Sequence, residues 1–205
     1  TCHKPPRERQ MAAAPRWARA VLFYIGAMAD PKLRLFFALW PDPQTRASLA
    51  ALAERVAVET GGRATTPNNV HLTLAFLGAQ PRDSATELIA RAGAIDASPF
   101  VLTLDHIDCW RKNAIAWLGA SEIPPALASL REALLASLAP LHIADEARPF
   151  AVHVTLARKV TGLLRRRLPA PIAWPVDGLA LVASDTGSAG PVYRVLSSLP
   201  LVRRR

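Results

Sequence analysis

The 205-residue sequence predicts an α+β fold in which two similar half-structures face one shared cleft. Strand-like segments are interleaved with helix-like segments, and the loops between them are short, which is typical of α+β proteins. A His-x-Thr motif also occurs twice, at His71 and Thr73 and again at His153 and Thr155, each time within a predicted strand. The repeated motif indicates that each half contributes one imidazole and one hydroxyl to the cleft.

Both motifs lie in segments that alternate as half-buried strands do. Successive side chains of a strand point to opposite faces, so His71 and Thr73 share one face and His153 and Thr155 share the corresponding face of the second strand. The opposite faces are apolar. They are formed by Val70, Leu72, Leu74 and Phe76 in the first segment and by Val152, Val154 and Leu156 in the second.

Capping and breaking residues predict the remaining elements. Asp42 and Pro43 open the first helix and Gly61 with Gly62 closes it. The predicted first half contains a strand over 33–40, a helix to about Glu59, the His71 strand, a helix between a capping box at 84–87 and Pro99, and a strand over 100–104. The second half contains a strand over 114–118, a helix behind Pro124–Pro125, the His153 strand, an arginine-rich loop or short helix at 165–167, and strands over 176–184 and 192–198.

Composition restricts the class of protein. Hydrophobic residues make up 51% of the chain, which excludes a disordered protein. The formal net charge of +9 favours a polyanionic partner such as nucleic acid, although an Arg-rich and Ala-rich composition is an alternative cause. The two cysteines, Cys2 and Cys109, match no metal or disulfide spacing, which favours the cytoplasm. The apolar run 20–29 is too short to span a membrane.

The chain is predicted to contain one main domain, residues 32–200, with an extension at each end. Residues 1–31 are expected to be a poorly ordered N-terminal extension, and residues 201–205 a basic tail. The extension has the outline of a signal peptide with a cleavage site near Ala27–Ala29. Alternatively, Met28 is the biological start and the preceding residues are an upstream tail.

The two motifs suit acid-base chemistry on a phosphate. Histidine titrates near neutrality, so one imidazole can accept a proton while the other donates one. The threonine hydroxyls can donate hydrogen bonds to phosphate oxygens as charge develops on them. Two histidines without clustered carboxylates or cysteines form a poor metal site, so neither a metal nor a cofactor is predicted.

At these residues the chain resembles the 2H phosphoesterase superfamily, and within it the bacterial RNA 2′,3′-cyclic phosphodiesterases, also called 2′-5′ RNA ligases. The resemblance extends over about residues 33–196. It is found in the segments Arg34–Leu39, Asn69–Gly78, Trp117–Gly119, His153–Arg158 and Gly190–Tyr193.

This resemblance implies a bilobal fold with pseudo-two-fold symmetry and antiparallel sheets around a central cleft. It implies metal-free opening of a 2′,3′-cyclic phosphate at an RNA end to a 2′-phosphomonoester, together with a reversible 2′-5′ ligase activity. His71 would protonate the departing 3′-oxygen and His153 would activate water. The expected protein is a cytoplasmic monomer that acts on RNA with a cyclic phosphate end.

The same resemblance implies that Arg158 binds phosphate, alongside Thr73 and Thr155. Strand alternation would turn Arg158 to the apolar side, so the strand must bend or end near Ala157. Tyr193 could stack on a base, although core or edge packing is its simpler interpretation. His106, beside Asp105 and Asp108, is interpreted as a solvated turn residue.

Two other functions remain open at this stage. One is a catalytically silent module that binds RNA or nucleotides in the same cleft. The other is a related enzyme that acts on small cyclic nucleotides. The intact His-x-Thr pair favours the RNA phosphodiesterase over the silent module.

Overall fold

The computed structural model describes residues 32–143, 150–187 and 190–203. The predicted extension, residues 1–31, lies outside the described residues, as do the last two residues of the basic tail. Nine strands and three α-helices occur in the described ranges. They are β1 (Lys32–Leu39), α1 (Pro43–Thr60), β2 (Arg63–Ala64), β3 (Leu72–Pro81), α2 (Ser84–Gly93), β4 (Phe100–Trp110), β5 (Ile115–Gly119), α3 (Pro125–Leu138), β6 (His153–Arg158), β7 (Arg166–Val176), β8 (Gly178–Gly187) and β9 (Gly190–Pro200).

The strands form two antiparallel sheets, which confirms the predicted α+β class. The first sheet has the strand order β3-β1-β8-β9, and the second has the order β2-β6-β5-β4-β7. The assignment of strands to the two sheets differs from the prediction. The strand expected to complete the first half, β4, belongs to the second sheet. The last two strands of the chain return to the first sheet, where β8 pairs with β1 and β9 pairs with β8.

Local signals determine the first helix as expected. The Asp42 carboxylate accepts hydrogen bonds from the backbone N–H groups of Gln44 and Thr45 at 2.8 and 3.1 Å, so it caps two otherwise unpaired donors of α1. Gly61 adopts φ +65°, the left-handed conformation that ends helices. The apolar residues Leu49, Leu52 and Val56 form the inner face of this helix and are all buried.

Three other local predictions are wrong. Ser84 is the first residue of α2, and its hydroxyl donates to the Pro81 carbonyl, so it does not cap the helix as the capping box requires. The helix ends at Gly93, before Pro99. The arginine-rich segment begins a strand at Arg166, because the second sheet supplies the pairing partner β4, which a local pattern cannot reveal.

The apolar residues form a main core between the sheets and helices and a smaller cluster near the cleft. Strand β1 contributes to both, since Leu35 and Phe37 lie in the main core while Phe36 and Ala38 lie in the smaller cluster. The smaller cluster also contains Ala180 and Val182, and Trp40, Tyr193 and Val195 pack against it. A strand buried on both faces provides a rigid support for the residues beside it. No α-helix in the described ranges is long and apolar enough to cross a membrane.

Candidate active site

The two motif strands carry a β-bulge at equivalent positions. In β3, Thr73 pairs with Ala38 and Ala75 with Phe37, so Leu74 is the extra residue. In β6, Thr155 pairs with Trp117 and Ala157 with Ala116, so Leu156 is the extra residue. A bulge interrupts the alternation of side chains along a strand. The fifth residue after each histidine therefore turns to the same face as that histidine. These residues are Phe76 and Arg158.

The bulges explain one confirmed and one wrong prediction. Arg158 lines the cleft together with His153 and Thr155, as the expected bend near Ala157 requires. Phe76 was predicted to lie on the buried apolar face, but it is 45% exposed and also lines the cleft. A shift of one residue in the pairing of two strands reverses the direction of every later side chain in the strand. The alternation of apolar and polar residues in the sequence does not reveal such a shift.

Both motif imidazoles are held in the same way. Nδ1 of His71 lies 2.6 Å from the Asn69 carbonyl oxygen, and Nδ1 of His153 lies 2.8 Å from the Ala151 carbonyl oxygen. A carbonyl can only accept, so Nδ1 carries the proton in each neutral ring. The reactive nitrogen of both rings is therefore Nε2. In His71 it lies 3.1 Å from the hydroxyl oxygen of Thr73.

Asn69 anchors the segment before His71. Its side-chain amide donates to the Pro191 carbonyl at 2.8 Å, and its side-chain oxygen accepts from the backbone N–H of Tyr193 at 3.4 Å. Its own carbonyl orients the His71 ring. Asn69 thus connects β9 to His71. The sequence did not predict this positioning role, although Asn69 is the first residue of the segment Asn69–Gly78 that contains the first motif.

Aromatic rings surround both histidines. His71 stacks on Trp40 at 5.7 Å between centroids and contacts Tyr193 edge-on at 5.0 Å. Trp110 contacts His153 at 4.6 Å. Tyr193 was predicted to bind substrate, and Trp40 follows strand β1. In the structure, both fix the position of the His71 ring by packing against it.

Burial lowers the pKa of His71 to about 4. Desolvation of the charged ring is the main cause, the hydrogen bond to the Asn69 carbonyl opposes it, and the positive charges of His153 and Arg158 lower the pKa further. The two motif strands, β3 and β6, contact each other, so charges of the second motif lie near enough to act on His71. In the free protein at pH 7, His71 is neutral.

The low pKa predicts a pH-dependent stability. The unfolded chain binds a proton at this residue near pH 6.5 and the folded chain only near pH 4, so the free energy of unfolding decreases as the pH falls through this window. The loss at pH 4 is on the order of 3 kcal/mol. Urea unfolding of the parent and of His71→Gln between pH 4 and 7 tests this. The parent should lose more stability than the variant, and parallel curves would contradict the shift.

The cleft has a volume of about 740 Å³. It is bounded by the two motif strands, the connection between β4 and β5, and helix α3. Its polar lining includes Thr73, His153, Thr155 and Arg158 from the predicted site. Trp110 also lines the cleft. The structure adds lining residues that the sequence did not indicate, namely Phe76, Lys112, Asn113, Ile115, Arg131 and Phe150. Cations and aromatic rings in the same cleft are features that bind single-stranded nucleic acid.

His106 is not the solvated turn residue that was predicted. It lies within β4, its Nδ1 is 2.8 Å from the Asp105 carboxylate, and its ring packs edge-on against Trp117 at 5.5 Å. Gly119 makes this packing possible, because a Cβ there would lie 2.5 Å from the Trp117 ring and 2.8 Å from Nε2 of His106. Gly119 pairs with His153 across the sheet, so the indole fills space beside the catalytic candidate.

The arginines at 165–167 form ion pairs at the edge of the second sheet. Their partners are Asp108, Glu59 and Asp105, at 3.2, 2.9 and 3.3 Å respectively. Exposed pairs of this kind contribute at most about 1 kcal/mol each. Within the described ranges, no group of three or more histidine, cysteine, aspartate or glutamate side chains is arranged to hold a metal ion.

Comparison with known proteins agrees with this geometry. The model of the family described as LigT like Phosphoesterase matches residues 39–117. A Thermus thermophilus protein named RNA 2′,3′-cyclic phosphodiesterase is 32% identical over 189 residues, covering 82% of this chain and 90% of that protein. The chain belongs to the LigT-like phosphoesterase family. An Escherichia coli protein of the same name is 34% identical over 131 residues, covering 64% of this chain and 74% of that relative.

Solved structures extend the similarity of this LigT-like phosphoesterase to the whole fold. E. coli LigT in its apo form superposes with a TM-score of 0.74 at 28% identity, covering 85% of this chain and all of that one. E. coli LigT in complex with 3′-AMP superposes with a TM-score of 0.73 at 28% identity, covering 84% of this chain and 99% of that one. The antiparallel two-sheet architecture is thus that of the LigT structures.

Proposed function

We propose that this chain opens 2′,3′-cyclic phosphates at RNA ends to 2′-phosphomonoesters, with two histidines as general acid and base and without a metal. The observation that carries the proposal is the matched geometry of the two motifs, in which both imidazoles are oriented through Nδ1. Thr73 of the first motif lines one cleft together with His153 and Thr155 of the second, and Nε2 of His71 lies 3.1 Å from the Thr73 hydroxyl oxygen. The names of the curated relatives support RNA 2′,3′-cyclic phosphate as the substrate.

In the proposed reaction a water oxygen forms a bond to phosphorus while the bond from phosphorus to O3′ breaks. One imidazole takes the proton from water, and the other gives its proton to O3′, which leaves a 3′-hydroxyl and a 2′-phosphomonoester. If the 5′-hydroxyl of a second RNA takes the place of water, the same two proton transfers form a bond from its oxygen to phosphorus and break the bond to O3′, which leaves a 3′-hydroxyl and a 2′-5′ phosphodiester. This is the 2′-5′ ligase reaction. The side chains that we propose to bind the phosphate oxygens are Thr73, Thr155 and Arg158, since all three line the cleft.

We propose that His71 is the general acid and His153 the general base, and this assignment depends on one condition. Because His71 is neutral at pH 7 in the free protein, it can donate a proton only if bound substrate raises its pKa. The cyclic phosphate carries one negative charge, and a nearby negative charge raises the pKa of an imidazole. The opposite assignment, with His71 as the base, needs no such change.

The base of the terminal nucleotide would lie against Phe76, whose exposed ring lines the cleft. Tyr193 contacts the His71 ring, and we propose that it borders the nucleotide on that side. All proposed site residues belong to the segment 32–200, which supports a single catalytic domain, and we propose that this domain acts as a monomer. Cysteine usage supports a cytoplasmic location, and the net charge of +9 supports an RNA partner.

The decisive experiment incubates the protein with an oligonucleotide that ends in a 2′,3′-cyclic phosphate, with a chelator present. The expected product is a 2′-phosphate in undiminished yield. A 3′-phosphate product, or activity lost to the chelator, would contradict the mechanism. Binding of the oligonucleotide without turnover would identify the silent RNA-binding module. Faster turnover of mononucleotide 2′,3′-cyclic phosphates in a competition assay would identify the enzyme of small cyclic nucleotides.

A further inference from the structure

Arg131 of helix α3 contacts both motif segments. Its Nε donates a hydrogen bond to the Leu74 carbonyl at 3.1 Å, and Leu74 is the bulged residue that follows Thr73. Its guanidinium carbon lies 4.5 Å from the centroid of the Phe150 ring. Phe150 precedes Ala151, whose carbonyl orients His153. A single guanidinium therefore touches the first motif on one side and the approach to the second motif on the other.

We propose that Arg131 is a positioning residue that holds the two His-x-Thr segments in a fixed relation across the cleft. This inference rests on the proposed function, because the relation matters only if both motifs act on one phosphate. Arg131 lies on a helix that contacts β3 of the first sheet and β4 of the second. Arg131 therefore belongs to a helix that packs against both sheets.

The contact with Leu74 stabilises the bulge. An extra residue in a strand leaves backbone groups without ladder partners, and Arg131 satisfies the Leu74 carbonyl at this point. The bulge turns Phe76 to the face that His71 and Thr73 share. A slip of the bulge by one residue would reverse these side chains. The hydrogen bond thus preserves the alignment of the first motif.

The contact with Phe150 orients the approach to the second motif. A cation over an aromatic face contributes about 0.5–2 kcal/mol, more when water is excluded. Arginine suits both tasks at once, because its flat guanidinium can stack on a ring while its N–H groups donate in the same plane. Lysine has a compact ammonium that cannot combine the two contacts in this way.

The test compares Arg131→Gln with the parent on the cyclic phosphate oligonucleotide, far below the unfolding temperature of each protein. We expect kcat to fall by about 10- to 100-fold, as small misplacements of reacting groups do. The KM should stay within about threefold of the parent value, since the proposed phosphate-binding side chains of Thr73, Thr155 and Arg158 remain. Arg131→Lys should recover only part of kcat. Unchanged kcat in folded Arg131→Gln, or full recovery by Arg131→Lys, would overturn the proposal.

Arg91→Gln is the matched control. Arg91 is also a half-buried helical arginine that donates to a backbone carbonyl, that of Ser137 at 3.2 Å, but it is not part of the cleft lining. Each variant removes one charge and one donor to a carbonyl, a change that costs about 1–3 kcal/mol of stability when the carbonyl is buried. Arg91→Gln should keep the parent kcat. Equal loss of kcat in both variants would reduce the role of Arg131 to stability and overturn the proposal.

A double-mutant cycle tests the link to Phe150. Phe150→Leu keeps an apolar side chain but removes the ring, and we expect the double variant with Arg131→Gln to be about as slow as Arg131→Gln alone. Strictly additive effects would contradict the link. Turnover by the parent enzyme decides the proposed function separately. If the parent does not open the cyclic phosphate, the proposed function fails, whereas altered ratios between variants bear on Arg131 alone.

Discussion

Replacing either motif histidine by alanine is expected to slow opening of the cyclic phosphate by about 10²- to 10⁴-fold. In the proposed mechanism, His71→Ala removes one proton transfer and His153→Ala removes the other, while the threonines proposed to bind phosphate remain. Both transfers belong to one transition state, so the effects should not add. The double variant should be about as slow as the slower single variant. Single-turnover rates on an oligonucleotide with a cyclic phosphate end provide the measurement.

The pH dependence assigns the two roles. The profile of kcat/KM reports the free enzyme and that of kcat reports the substrate complex. If His71 is the acid, bound phosphate must raise its pKa from about 4. The descending limb of the profile, which His71→Ala abolishes, should then lie at higher pH in the profile of kcat than in that of kcat/KM. If His71 is the base, the abolished limb is the ascending one. A variant that retains the full parent profile at reduced rate would contradict a proton-transfer role for that histidine.

His142→Ala is a suitable control for these measurements. His142 ends the short 3₁₀ turn after helix α3 and does not line the cleft. It shares only the residue type with the two motif histidines. We expect its activity and pH profile to match those of the parent. A comparable loss would show that removal of any imidazole perturbs the enzyme.

The repeated motif made the site predictable from sequence because both copies lie on strands whose apolar faces are buried. Val154 and Leu156 are fully buried, as the alternation requires, so His153 and Thr155 must face away from the core. The same reasoning identified the first motif. What alternation could not provide was the bulge, since an extra residue in a strand depends on its pairing partner. For this reason Phe76 was misassigned to the core.

Long-range pairing limited the rest of the prediction. His106 lies just beyond the segment 100–104 that the sequence predicts as a strand. Its packing depends on Trp117 and on the missing side chain at Gly119, both in the neighbouring strand. The contacts of Arg131 depend on a helix crossing two sheets. The strand β2, only two residues long, exists because it pairs with the end of β6. Features of this kind are set by tertiary contacts, and local residue patterns contain no signal for them.

Replacing Arg158 is expected to have the largest effect among residues that do not transfer protons. Arg158 ends β6, is exposed, and lines the cleft beside His153 and Thr155 because of the bulge at Leu156. A guanidinium can donate two parallel hydrogen bonds to phosphate oxygens, which strengthens binding as charge builds up on them. Loss of one such donor typically costs about 10²- to 10³-fold in rate, so Arg158→Gln should lose that much in kcat/KM.

Arg158→Lys should recover part of this loss, because the charge returns but the paired donors do not. Arg166→Gln is the control for net charge. Arg166 is an exposed arginine of the same sheet that pairs with Glu59 and does not line the cleft. It should keep nearly the parent kcat/KM, although each variant removes one positive charge. Equal losses in Arg158→Gln and Arg166→Gln would point to long-range attraction of RNA instead of a phosphate contact.

A second measurement on Arg158→Gln reports the site directly. The positive charge of Arg158 contributes to the low pKa of His71, so its removal should raise that pKa above about 4 in the free protein, whereas Arg166→Gln should leave it unchanged. Titration of the His71 ring by NMR measures this. A raised pKa of His71 in Arg158→Gln, together with weaker inhibition by inorganic phosphate, would indicate that the Arg158 guanidinium lies near both motifs and contacts the phosphate. An unshifted His71 would separate Arg158 from the first motif, and the loss of activity would then need another cause.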